Sequence, residues 1–408
     1  MSDVKFDAGD LSIGGYVGPG FESIRTAFIA NFEEGLEVGA SCAVYLDGVK
    51  VVDIWGGIVS PTNGQIWAEE TIAPVNSVTK GATALCIALL VEEGLLDPLL
   101  PVRFYWPEFA AAGKEEVTIR ELLSHQAGLP IVEGHLEFDD IFESAQLAAM
   151  LSTQAPIWPR GTIHGYHAFT FGALADALVR RITGRTVGRF LSDEIARPLG
   201  LDLYIGLPES EISRVAPLID PLPQTRNQIA AAILDPEERT AVLNLVDDLG
   251  DPSSLISRAS TFNGALPGIG SGRKDPRFLT KELPSSNAVT NARSLAAMYA
   301  ASIGTFNGFR LLSDETLDVV TSEAANGPDA VLHFPTRFGV GFQLPLNNLP
   351  MLGPNSFGHP GAGGALGFAD RKFGLGFGYV QNQLGRFAAE SRTERLLIAL
   401  RHSLRIES

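Results

Sequence analysis

The stretch from Gly81 to Leu96 is apolar on nearly every helical face, through Ala84, Leu85, Cys86, Ile87, Ala88, Leu89, Leu90 and Val91. A helix with that pattern has no face to give to water, so it predicts a chain that surrounds it on all sides. The core this demands is available, because the chain has 408 residues and 45% of them are hydrophobic. That length exceeds the size at which one hydrophobic core usually keeps growing, and two cooperating lobes are expected. The N-terminal end of the helix should then also lie inside the protein.

What surrounds the helix is read from the rest of the chain. From Gly39 to Gly57, two runs of β-branched and aromatic residues flank Asp47-Gly48, the signature of a hairpin. Between about Leu100 and Ser285 the patterns are helical: Ile119 to Ser124, Ile141 to Gln154, Phe169 to Ile182 closed by Gly184, and Gln228 to Leu249. Asp251 to Asn287, rich in Pro, Gly and Ser, reads as a long irregular connection of the kind that borders a site. Strand patterns return in Phe338 to Leu344, Ala365 to Asp370 and Phe373 to Gln381, before a helix from Thr393 to Leu404. The expected class is α+β. Residues 1–100 and 286–408 would form a mixed lobe with a central antiparallel sheet, and 101–285 a mainly helical lobe inserted into it.

Composition excludes several functions. With 47 acidic against 31 basic side chains and a net charge of -16, no polyanion-binding surface is suggested and nucleic acid is not an expected partner. Met1 to Gly20 lacks a basic start followed by an apolar run, and no stretch reaches the length of a membrane span, so a cytoplasmic protein with no membrane partner is expected. Cys42 and Cys86 are too few for a disulfide framework or a thiolate metal site and read as core residues. His164 and His167 lack a third ligand, and neither a dinucleotide fingerprint nor a His-Glu-x-x-His occurs; no metal or organic cofactor is expected.

The hydrolase elbow Gly-x-Ser-x-Gly is also missing. Its nearest relative, Gly39-Ala-Ser41-Cys-Ala43, falls in a strand, where the hydroxyl is not exposed by a strand-to-helix turn. Ser-x-x-Lys occurs three times, at Ser2 to Lys5, Ser77 to Lys80 and Ser271 to Lys274. A hydroxyl and an amine three residues apart share one face only on a helix, and Ser77 alone stands at the mouth of one. There it would be close to unpaired backbone N–H groups, where an alkoxide can form and an oxyanion be held. The plain alternative for Ser77 is a helix cap. Lys80 argues against that, since an amine at the entry of an apolar helix is costly to bury unless its chemistry is used.

These residues resemble the serine β-lactamases of class C, the related DD-peptidases and, above all, the family VIII carboxylesterases built on the same fold. Besides Ser77-Val-Thr-Lys80, the resemblance is carried by Thr118 to Leu129, by Gly165-Tyr166 to Gly172, by Pro284 to Tyr299 and by Gly358-His359-Pro-Gly361-Ala-Gly-Gly364, in the family's order. It implies Ser77 as nucleophile and Lys80 with Tyr166 as the acid/base pair. It also implies an oxyanion hole from the N–H groups of Ser77 and Ala362, with His359 and Gly361 as the facing wall. His167, which follows Tyr166 where a lactamase has its Tyr-x-Asn segment, is counted with the substrate-contacting residues.

Two departures from the lactamase pattern bear on substrate. The asparagine two residues beyond the tyrosine is replaced by Ala168, and the lysine of Lys-Thr-Gly by His359, mostly neutral at pH 7. Both favour a neutral ester as the small-molecule substrate. An acyltransferase, or an amidase or β-lactamase using the same acyl-enzyme, is the alternative, and a non-catalytic scaffold of the same fold a more distant one. His125 reads as a structural histidine bonded to backbone.

Overall fold

The structure is a computed structural model that describes residues 6–8, 11–221, 225–233, 235–266, 274–346, 351–385 and 391–406. In chain order its strands are β1 (Phe6–Ala8), β2 (Leu11–Val17), β3 (Gly39–Leu46), β4 (Val49–Gly57), β5 (Ala73–Pro74), β6 (Leu203–Tyr204), β7 (Val289–Thr290), β8 (Ala325–Pro328), β9 (Pro335–Phe338), β10 (Ser356–Pro360), β11 (Leu366–Asp370) and β12 (Leu375–Gln381). Seven of them form one antiparallel sheet in the order β1-β2-β4-β3-β12-β11-β10. The two ends of the chain meet in its middle, where Val44 of β3 pairs with Phe377 of β12. The β3–β4 hairpin turns at Asp47-Gly48, both with positive φ (47° and 75°), as a two-residue hairpin of this twist requires.

One face of the sheet is covered by the Glu22–Glu33 and Ser391–Ser403 helices, which pack on each other over Cys42, Ile54, Phe368 and Phe377. The other is covered by the Ala292–Ile303 helix, which comes unusually close to β12. A Cβ at Gly376 or Gly378 would stand 2.2 Å from Ala296 O or 2.3 Å from Ala292 O, so the bare glycine backbone is what admits the helix. Behind it runs the Val78–Glu92 helix, buried at every residue from Val78 to Leu90. It contacts the Thr170–Thr183 and Val187–Leu191 helices on one side and β10 and β11 on the other, which is how an all-apolar helix finds company all round. This is an α+β architecture, one antiparallel sheet flanked by helices, as the sequence led us to expect. The helical middle contributes β6, whose two residues join β5 and β7 in a small sheet at the base of the Val78–Glu92 helix.

Several boundaries differ from expectation. The stretch Gln228 to Leu249 is two helices, Arg226–Ala232 and Pro236–Gly250, because a proline lacks the N–H to continue a helix but is well placed to start one. The connection from Asp251 to Asn287 holds the Leu255–Thr261 and Arg277–Thr280 helices, while residues 267–273 lie outside the described part. The expected strand Phe338 to Leu344 ends at Phe338. Beyond it the chain doubles back, with Gly339 N–H donating to Phe342 O and Gly341 N–H to Leu123 O. Cys42 and Cys86 are free and buried, as core residues should be. No helix among the described residues is long and apolar enough to cross a membrane.

Candidate active site

Ser77 is the residue before the Val78–Glu92 helix, and its hydroxyl makes no capping bond to that helix. The plain reading as a cap therefore fails. Asn76, just before it, has φ +48° and sends its Nδ2 to Ala362 O at 2.7 Å, so the entry to the helix is fastened to the turn after β10. Gly361 in that turn lies so near that a Cβ there would be 2.2 Å from Val75 O. The expected partners Ser77, Gly361 and Ala362 thus belong to one tightly packed junction between the two ends of the chain.

Lys80 is fully buried. Its Nζ donates to Ala168 O at 2.7 Å and to Ser285 O at 3.0 Å, and stands 3.3 Å from Ser77 Oγ. Both carbonyls come from segments far away in sequence, and they aim the amine at the hydroxyl one turn before it. Tyr166 closes the group. Its phenol hydrogen-bonds the Ser77 side chain, and Lys80 Nζ lies 4.7 Å from the centre of its ring. Burial pushes the phenol well above its ordinary pKa, the bond with Ser77 works the other way, and the charge of Asp329 adds to the rise.

His359 stands on β10 with its ring 6.0 Å from that of Tyr166. Its Nδ1 is 2.7 Å from Pro360 O, a group that can only accept, so Nδ1 carries the proton and Nε2 is a bare acceptor. Burial, helped by the charge of Lys80, pushes its pKa down to about 3, and the ring is neutral. His167 is different from what the sequence suggested. It is fully buried, Nδ1 meets Gly165 O at 2.7 Å, and Nε2 accepts from Leu129 N–H at 3.0 Å, so both ring nitrogens are committed to backbone and neither faces a substrate. His125 is likewise tied to backbone: its Nδ1 accepts from His167 N–H at 3.1 Å and its carbonyl from Gly165 N–H at 3.0 Å.

Ser41 lies in β3 with its hydroxyl accepting from Ala292 N–H at 3.3 Å, which leaves it a structural role. Ser2 and Ser271, the other two starts of Ser-x-x-Lys, lie outside the described residues. His164 bonds Thr336 Oγ1 at 2.8 Å instead of pairing with His167, and among the described residues no cluster of three or more side chains could hold a metal. Sequence reasoning missed Ser285, whose backbone carbonyl does the work and so leaves no trace in residue type. It also missed Asp329, whose partners come together only in the fold.

A β-lactamase family model matches residues 28–401 of the chain. The protein belongs to the β-lactamase family. It is similar to Esterase/beta-lactamase LipL of Mycobacterium tuberculosis, 34% identical over 379 residues that cover 91% of this chain and 83% of the relative. Among solved structures it resembles a family VIII carboxylesterase with TM-score 0.82 and 35% identity, covering 97% of this chain and all of that one (100%). EstA from Arthrobacter nitroguajacolicus Rue61a is similar to the same degree, with TM-score 0.82, 33% identity and coverage of 96% and 98%. This β-lactamase-family chain is a serine hydrolase of the esterase/β-lactamase type.

Proposed function

We propose that the enzyme cleaves neutral carboxylic esters through an acyl-enzyme on Ser77. The observation that carries the reading is the position of Lys80 Nζ, held by two carbonyls and 3.3 Å from a hydroxyl that caps nothing. Ser77 Oγ attacks the ester carbon, and its proton passes into the Tyr166/Lys80 pair. Two N–H groups of Lys80 are engaged by carbonyls that can only accept, so a neutral amine would keep its lone pair toward Ser77. The phenol, raised by burial, becomes a usable relay only beside that amine, and the two act as one coupled acid/base.

The N–H groups of Ser77 and Ala362 would receive the negative oxygen of the tetrahedral intermediate, an arrangement favoured by the packing of Gly361 against Val75. When the C–O bond breaks, the pair returns its proton to the departing alkoxide. Water then enters by the same route in reverse and releases the acid.

The preference for an uncharged substrate rests on His359. Where the lactamases place a lysine, this chain presents a buried, neutral imidazole, which offers a carboxylate no fixed positive charge. A fluorophosphonate probe should add mass to the wild type and not to Ser77→Ala. Labelling that survives the substitution moves the nucleophile elsewhere. p-Nitrophenyl esters run beside a chromogenic cephalosporin test the substrate, and fast cephalosporin turnover with inert esters would contradict the assignment.

A further inference from the structure

We infer that Asp329 is a positioning residue for Tyr166: a buried carboxylate at the end of the β8–β9 hairpin holds the backbone of the tyrosine against Ser77. The inference rests on the role proposed for Tyr166 above. Tyr166 sits on no helix or strand, and its short segment must be fixed by what it touches. From one side His125 does this, through the bonds to Gly165 and His167 on either side of the tyrosine. From the other side Asp329 Oδ1 accepts the N–H of Tyr166 itself at 3.0 Å.

Asp329 is only 2% exposed and is fully engaged. The same Oδ1 accepts from Val331 and Leu332 N–H at 2.9 Å each, and Oδ2 accepts from Thr336 Oγ1 at 2.9 Å. Thr336 in turn meets His164 Nε2 at 2.8 Å, and Ala330 N–H donates to His164 O at 3.0 Å. The carboxylate is thereby clamped to its own hairpin at three points and uses the clamp to grip a loop 163 residues earlier. A carboxylate satisfied only by a local turn would not need to reach that loop, and burying a charge there is costly unless its bonds are used.

Its charge also acts on the reacting pair. Around the Tyr166 ring stand Lys80 from the Val78–Glu92 helix, His125 from the loop after the Ile119–Leu123 helix and His359 from β10, and His164 and His167 flank Tyr166 along its own segment. All four histidines are pushed down by burial, so the charged neighbours that remain are the ammonium form of Lys80 and the carboxylate of Asp329. The carboxylate favours the protonated phenol and the charged amine.

The test is Asp329→Asn, which keeps the shape and the acceptor facing Tyr166 N–H but removes the charge. The expected result with a p-nitrophenyl ester is a kcat lowered about tenfold with KM unchanged, and a rising limb of kcat/KM against pH displaced toward acid. A limb that stays in place, or a loss of activity that only follows a loss of folded protein by circular dichroism, overturns the inference. Thr336→Val, which loosens the clamp and leaves the charge, is the second variant: lowered kcat at unchanged KM supports the inference, and wild-type kcat overturns it. Fluorophosphonate labelling of the wild type and of Ser77→Ala in the same series separates the two claims, because labelling lost with Ser77 while Asp329→Asn behaves as wild type refutes the role of Asp329 alone.

Discussion

Among the described residues two lysines are fully buried, Lys80 and Lys114, and both are held by pairs of backbone carbonyls. Lys114 Nζ donates to Ala111 O at 2.7 Å and to Gln154 O, the residue that closes the Ser144–Thr153 helix. Lys80 Nζ does the same with Ala168 O and Ser285 O. An amine is thus buried twice by one device, and burial by itself says nothing about catalysis. The difference lies in the next neighbour. Lys80 faces the Ser77 hydroxyl and the Tyr166 phenol, whereas Lys114 faces the Phe109 ring, 5.3 Å from its centre. In one region the lysine ties together the ends of two helical segments; in the other the same tie aims it.

The comparison breaks most readily on paired substitutions. Lys80→Met and Lys114→Met each leave two carbonyls without a donor and should each cost about 1–3 kcal/mol of stability in a melting experiment. Their activities should part: kcat for an ester is expected to fall ~1000-fold or more in Lys80→Met and to stay within about twofold in Lys114→Met. Equal activity in the two variants would end the distinction. Tyr166→Phe comes next, with kcat down roughly 100-fold and fluorophosphonate labelling slowed but not lost, since Ser77 keeps its amine.

A smaller effect separates the regions by pH. His167 and His359 titrate near 4 and 3 when folded and at an ordinary 6.5 when unfolded, so their contribution to stability is intact above pH 6.5 and is lost as pH falls toward those values. Each group costs about 1.4 kcal/mol per pH unit within its window. Because the charge of Lys80 helps to push both rings down, acid melting should be shallower in Lys80→Met and unchanged in Lys114→Met. The smallest effect is at the alkaline end. Burial pushes the Lys114 ammonium below its ordinary 10.5, so the wild type gains stability as pH climbs toward that value, and Lys114→Met should remove this gain.

The comparison also shows what can be read from a sequence. Ser77 and Lys80 are legible because their relation is local: three residues on a helix whose apolar composition announces its burial. The β3–β4 hairpin is legible for the same reason, through Asp47-Gly48. Lys114, with equal burial, carries no such mark, and neither do the carbonyls of Ala168 and Ser285, because any residue type supplies one. His167 misleads for a related reason. Its neighbours in sequence place it beside Tyr166, but its ring is turned by Gly165 O and Leu129 N–H, contacts set by the fold. The helices Glu22–Glu33 and Asp314–Thr321 and the strand β2 also escaped reading. β2 mixes buried with partly exposed positions and holds two glycines, Gly14 and Gly15, which blur the alternation that marks a strand.

The pairing of β3 with β12 has a consequence for how the protein is made. A nascent chain leaving the ribosome can form the first hairpin early, but that hairpin has an unpaired flank until residues 375–381 have been synthesised. Contacts this distant make folding slow and leave partly built sheets prone to stick to one another. Chaperone dependence and inclusion-body formation during rapid expression are therefore properties to expect of this topology, whatever substrate the finished enzyme consumes.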